Sequence, residues 1–178
     1  MPVLDFWFRA IAPGQWFRGG PELDDVIRTR FVATVEKAMQ GALDDWATTP
    51  RGLLALIIVL DQFPRNIYRG KPEAFAGAAK AEALSQRAIA EGWDKLLNLS
   101  ERQFLYMPLM HAEEEKLQAL SLEKFAALKK EVDGIFQFAQ NHADIVKQFG
   151  RFPGRNQALG RESTPEEEAL LASGKGNF

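Results

Sequence analysis

Cysteine is absent from all 178 residues, which removes disulfides, thiolate metal sites and cysteine nucleophiles together and fits a reducing compartment. A dominant charge is lacking too, since 22 basic side chains face 24 acidic ones and leave a formal net charge of −2. No global field therefore favours nucleic acid or an anionic membrane, and any basic site must be local. The longest aliphatic run, Leu53 to Leu60, falls far short of the ~20 residues that a bilayer-spanning helix needs. The opening MPVLDFWFRAIAPG carries Asp5 and has neither the basic flank nor the small-residue cleavage site of a signal peptide. Walker, Rossmann, HExxH and GxSxG motifs are missing as well. These absences predict a cytoplasmic protein with no nucleic-acid or membrane partner, no cofactor and no metal.

What is present is helical periodicity. The chain length suits one domain, residues 1–178, able to bury roughly 70% of the surface its unfolded form exposes. Pro2 to Ile11 reads as a short helix whose Leu4, Phe6, Trp7 and Phe8 must be covered by later segments. From Glu22 an apolar stripe runs through Ile27, Phe31, Val35, Ala38 and on to Trp46. Thr49 and Pro50 read as N-cap and first residue of a helix to about Gln62, apolar around nearly its whole circumference and so the central one. No segment offers a strand partner for it, which argues against β-structure. Gly77 to Gly92 forms a helix with Ala81, Leu84 and Ala88 inward. Ser100 with Gln103 predicts a capping box for a helix kinked near Pro108 and continuing past Glu113 to Glu115. Ser121–Glu131 and Gly134–Phe149 follow as separate helices. Thr164, Pro165 and Glu167 open a last one, ahead of a frayed tail at 173–178. The fold class expected is all-α, about seven helices in packed antiparallel pairs.

Two segments stand out within that frame. Gln62 to Asn66 reads QFPRN and Phe152 to Asn156 reads FPGRN. In both, the Phe-Pro step is expected to halt a helix, leaving two basic loops. Arg65, Asn66, Arg151, Arg155, Asn156 and Arg161 are the candidate ligand-binding residues, because guanidinium forks match carboxylate and phosphate geometry. The competing role is structural, with the same side chains bonding loop carbonyls. Asp61, read as lying in the last turn of its helix, meets an unfavourable dipole and predicts a salt bridge to Arg65, Arg151 or Arg155. Asp61 and His111 are the candidate acid–base groups. His111 with Glu114 and Glu115 has helical spacing that a divalent ion could use, while His142 falls on an apolar stripe that predicts a core histidine.

The motifs LALIIVLDQFPRNIYRGKPEAFA, His111 with Glu113, and FGRFPGRNQALGREST resemble the bacterial "domain of unknown function 924" family over nearly the whole chain. The resemblance implies a TPR-like helical fold and no established activity. It also implies polar groups at several positions where this chain carries Ala78, Met110, Ala112 and Gly154, so no mechanism is built on those. Three functions stay open: a binding module for a small anion, a carboxylate metabolite or a peptide; a metal-independent enzyme with an anionic substrate; and an oligomerising structural protein of unstated oligomeric state.

Overall fold

Every residue from Leu53 to Leu60 is at most 1% exposed in the structure, a computed structural model that describes residues 1–174 apart from the side chain of Ile135. The described residues contain no strand, and contacts gather them into two compact units, Met1–Ala126 and Ala127–Phe178. The all-α expectation holds.

In the first unit α1 (Pro2–Asp5) continues into a π turn at Phe6–Ala10, and α2 (Gln15–Arg18) precedes α3 (Pro21–Met39). The N-terminal aromatics find their cover. Phe6 lies 5.0 Å from Phe31 between ring centres, Trp7 lies 5.7 Å from Phe63, and Trp7 meets Phe104 edge-on at 5.3 Å. Such tilted and edge-on pairs place a positive ring edge on a negative face, adding to the gain from burying the rings.

Helix α4 (Pro50–Ile57) is capped as its sequence predicts, with the Thr49 hydroxyl accepting the Gly52 amide proton at 3.1 Å. It does not stop at Phe63-Pro64. A π turn at Ile58–Gln62 passes directly into α5 (Phe63–Ile67), so Arg65 and Asn66 are helical rather than in a loop. The wider i→i+5 turn explains why: it begins a fresh first turn at Phe63, where the amide proton that proline lacks has no helical partner to lose. One consequence is that Asp61 and Arg65 stand one turn apart on a single face.

The other boundaries shift for local reasons. Helix α6 (Ala78–Ala90) buries Ala81, Ser85 and Ala88, with the Ser85 hydroxyl bonded to the Leu105 carbonyl, while Leu84 is only half-buried. Helix α7 (Leu99–His111) is capped by Asn98 and Glu101, not by Ser100 and Gln103. The Asn98 side chain accepts the Glu101 amide at 3.0 Å, and the Glu101 carboxylate accepts the Asn98 amide at 3.1 Å. The chain breaks after His111, and α8 then runs unbroken over Glu115–Phe149, joining two segments read as separate. Gly134 weakens that helix by only about 1 kcal/mol, which its length absorbs. The first unit ends and the second begins within α8.

Among its described residues the second unit holds the rest of α8, a 3-10 turn at Pro153–Arg155 and α9 (Pro165–Ala172). Helix α8 stops at Phe149 because Gly150 takes a left-handed φ of 69°, a step ahead of the Phe152-Pro153 pair. The Thr164–Glu167 capping box forms as expected. His142 is half-buried rather than a core residue, and Phe138 beside it is 59% exposed. Of the expected tail, 175–178 lies outside the described residues.

Gly77 meets the π turn at close range. A Cβ there would stand 2.4 Å from the Leu60 carbonyl oxygen. Gly77→Ala is therefore expected to cost about 3 kcal/mol in denaturant unfolding, the upper part of the usual range for single substitutions. Gly134→Ala, whose Cβ meets nothing within 4 Å, is expected to stabilise by about 0.5–1 kcal/mol.

Candidate functional site

The π turn sets Asp61 inside the first unit with a side chain only 1% exposed, so its charge must be met by donors at hand. Arg65 supplies two from the next turn, through Nε at 3.3 Å and Nη2 at 3.1 Å to Oδ1. Gln62 donates its amide to Oδ2 at 2.5 Å. His111, fifty positions later at the end of α7, places Nδ1 2.9 Å from Oδ1 and 3.0 Å from Oδ2. Burial pushes the Asp61 carboxyl up, but the hydrogen bond and charge of His111, the charge of Arg65 and the Gln62 amide together outweigh it and hold the group below its ordinary value. The predicted partner Arg65 is confirmed, although the helix-end dipole is not the reason, because α5 continues the helix past Asp61.

A second carboxylate repeats the arrangement. Asp24, on the buried stripe of α3 ahead of Ile27 and Phe31, accepts Arg69 Nε at 2.7 Å and Nη2 at 2.8 Å, and Asn66 Nδ2 at 2.8 Å. The Arg69 bond is the largest cause of its lowered pKa, opposed by burial and reinforced by Asn66. Arg28 adds a hydrogen bond to the Ile67 carbonyl at 2.9 Å, fixing the end of α5 against α3. Glu82 on α6 shifts the other way, raised by burial first and then by the charges of Asp61 and Glu114.

In front of these acids lies a pocket of about 200 Å³. Gln62, Arg65, Asn66, Arg69 and His111 form its polar side, Trp16, Phe17 and Met107 its apolar side, and Arg18 and Gly19 complete it. The Trp16 indole is fixed by donating to the Trp7 carbonyl at 2.8 Å, and Phe17 lies parallel to Phe104 at 6.1 Å while remaining 59% exposed. Gly19 has φ 44°, and a Cβ there would come within 3.2 Å of Arg69 Nη2, so glycine lets that guanidinium through. The His111 ring is 20% exposed, and with Nδ1 turned to Asp61 its Nε2 end is the one without a bonded partner among the described residues. His111 closes α7 and Glu115 opens α8, so the helical spacing that suggested a metal trio does not hold.

The second basic loop is tied within its own unit. Arg151 grips Glu167 with Nε at 2.6 Å and Nη2 at 2.7 Å, and Nη2 also reaches the Glu162 carbonyl at 2.9 Å. Asn156, 1% exposed, donates to Ser163 Oγ and Glu167 Oε2, each at 3.1 Å. Arg161 donates to the Phe152 carbonyl at 3.1 Å, and Arg155 packs its guanidinium 4.5 Å over the Phe152 ring. The His142 Nδ1 donates to the Phe138 carbonyl at 2.8 Å. Arg151, ahead of the Thr164 amide, holds Glu167 down at about 2.

Sequence reasoning thus found Asp61, Arg65, Asn66 and His111, and missed Arg18, Asp24, Gln62 and Arg69 as site residues. Asp24 was findable, being an acid three and seven residues before Ile27 and Phe31 on one helical face. Arg69 becomes visible only once the helix is known to run through Pro64. Arg18 carries no signal in the sequence beyond its neighbouring glycines.

The family whose model matches this chain, over residues 3–175, is described as a bacterial protein of unknown function, DUF924. No curated protein matches it. The chain is similar to a solved structure of a protein of unknown function, ATU0120, from Agrobacterium tumefaciens, with 36% identity, a TM-score of 0.67, and coverage of 97% of this chain and 96% of that one.

Two stability predictions follow from the ion pairs. Glu167 is depressed, so its contribution is complete above its ordinary value of ~4.3 and is lost as pH falls toward the folded value; melting curves of Glu167→Gln are expected to show a shallower fall over that acid range. Asp61 is depressed as well, so its contribution is present above ~3.9 and vanishes below the folded pKa. Asp61→Asn is expected to lower stability at neutral pH by about 2 kcal/mol, because the donors of Arg65 and His111 lose a charged acceptor, and the difference from the unsubstituted protein shrinks on acidification.

Proposed function

We propose, for a chain that belongs to the bacterial DUF924 family of unknown function, that the pocket of its first unit binds a small anionic ligand. The observation that carries this reading is the wall itself. Arg18, Arg65, Arg69, Asn66 and His111 face the space, whereas Asp24 and Asp61, the acids that hold all of these but Arg18, are not among its lining residues. Arg65 and Arg69 each use Nε and Nη2 on their own carboxylate, which fixes the guanidinium planes before any ligand arrives and leaves the Nη1 ends for it. Arg18 is exposed and has no hydrogen bond or ion pair among the described residues.

The apolar side narrows the class of ligand. A volume of about 200 Å³ lies below the roughly 300–1,000 Å³ typical of drug-sized ligands, so the occupant is a small metabolite or a single residue at a peptide end. Its anionic group, carboxylate or phosphate, goes to the arginines and its body to Trp16, Phe17 and Met107. This reading uses only the first unit. In the second loop the forks of Arg151 and the amide of Asn156 are already taken up by Glu167, which favours a structural role for that half of the predicted set.

Calorimetric titration with inorganic phosphate and with benzoate tests the reading. At least one anion is expected to bind, and Arg18→Ala is expected to weaken it roughly 10- to 100-fold, the equivalent of a lost charge-assisted hydrogen bond of ~1.5–3 kcal/mol. Its melting temperature should stay unchanged, since Arg18 ties nothing together. Failure of both anions to bind, or affinity unchanged from the unsubstituted protein in both Arg18→Ala and Arg65→Ala, would contradict it.

A further inference from the structure

The pocket holds more than an anion receptor requires. A receptor needs donors, and the arginines with Asn66 supply them, yet His111 is also held by its inner nitrogen against a carboxylate that is almost wholly buried. That arrangement fixes the tautomer. With Nδ1–H given to Asp61, Nε2 is the end that takes or gives a proton, and the carboxylate balances the charge the ring carries when both nitrogens are protonated. No serine, threonine or tyrosine lines the pocket, and the chain has no cysteine, so a side-chain hydroxyl or thiol nucleophile is not at hand.

The charges on this wall point to the substrate class. Three guanidiniums, joined by the His111 imidazolium when that ring carries its second proton, stand against the two carboxylates of Asp24 and Asp61, so the doubly protonated wall leaves two positive charges for a ligand. A phosphate monoester brings two negative charges and three outer oxygens, whereas a carboxylate brings one charge and two oxygens. Trp16 and Phe17 provide ring faces for the ester's organic part.

Resting on the anion-binding reading above, we propose that the first unit is a phosphomonoesterase in which His111 is the catalytic general acid and Asp61 its positioning residue. Water attacks phosphorus as the bond from phosphorus to the ester oxygen breaks, and the departing oxygen keeps that electron pair. His111 Nε2 delivers its proton to this oxygen, releasing the alcohol. The attacking water brings both its protons to the phosphoryl group, and the dihydrogen phosphate so formed returns one to Nε2. The net change is ester plus water to alcohol plus hydrogen phosphate. Arg18, Arg65 and Arg69 stabilise the charge on the outer oxygens, which is most of what a loose phosphoryl-transfer transition state asks of a protein.

The test measures binding and turnover separately in the full-length protein. Calorimetry with inorganic phosphate reports the receptor, and phosphate release from phenyl phosphate and from p-nitrophenyl phosphate reports the chemistry. A general acid matters most for the more basic leaving group, so His111→Gln is expected to lose about 100-fold or more on phenyl phosphate and much less on p-nitrophenyl phosphate, while still binding phosphate. Arg18→Ala, at an exposed position that ties no helix, is expected to lose activity on both esters alike. Phosphate binding without phosphate release from phenyl phosphate overturns the catalytic proposal and leaves the receptor standing. Equal losses on the two esters in His111→Gln also overturn it. Absence of phosphate binding overturns the catalytic proposal, and only absence of benzoate binding as well removes the anion-binding reading.

Discussion

A carboxylate almost sealed from water needs donors on every side, and the first unit is arranged around meeting that need at Asp61. The acceptor sits in a π turn, its donors come from the same turn, from α5 and from the end of α7, and each donor residue also lines one pocket. Taking any of them away strands charge in a low-dielectric interior, where its solvation is not replaced. The apolar body of α4 and the aromatic cluster of Trp7, Phe63 and Phe104 supply the burial that makes the requirement strict. Core and site are therefore one structure: the same helix that fills the interior with Leu53 to Leu60 delivers Asp61 at its next residue.

The π turn does a job that an α-helix could not. An extra residue in the turn lets Pro64 occupy a position where its missing amide proton is no loss, and it keeps the helix going long enough to put Arg65 on the face that carries Asp61 and Asn66 within reach of Asp24. Gly77 lies against the Leu60 carbonyl in the middle of that turn, so the backbone there is held from outside as well. Asp24 and Arg69 form the neighbouring pair, joined by Asn66, which follows Arg65 directly on α5. Two acids thus act as anchors and the arginines become a fixed wall.

Much of this was legible in the residues. Helical periodicity identified the buried central helix, Thr49 with Pro50 marked its start, and the absence of strand partners excluded a sheet. Asp61, Arg65, Asn66 and His111 were picked out separately, but nothing in the spacing of positions 61 and 111 says that they touch. That contact is tertiary, made where α4, α6 and α7 pack on one another, with the Ser85 hydroxyl of α6 bonded to the Leu105 carbonyl of α7. The Phe63-Pro64 step misled for a clear reason: the proline rule presumes an α-helix on its N-terminal side, and a π turn suspends it. The capping box at Asn98 was hidden by a competing Ser100–Gln103 pattern two residues later. In the second loop, the residues that suggested a ligand turned out to carry the hydrogen bonds that hold Glu167 and the start of α9.

Nitrogen-detected NMR of the His111 side chain addresses the central contact most directly. The account predicts a Nδ1-bound proton that exchanges slowly with water and disappears on Asp61→Asn, with Nε2 responding to added phosphate. A ring protonated at Nε2 with Nδ1 open to solvent, unchanged by Asp61→Asn, would contradict it.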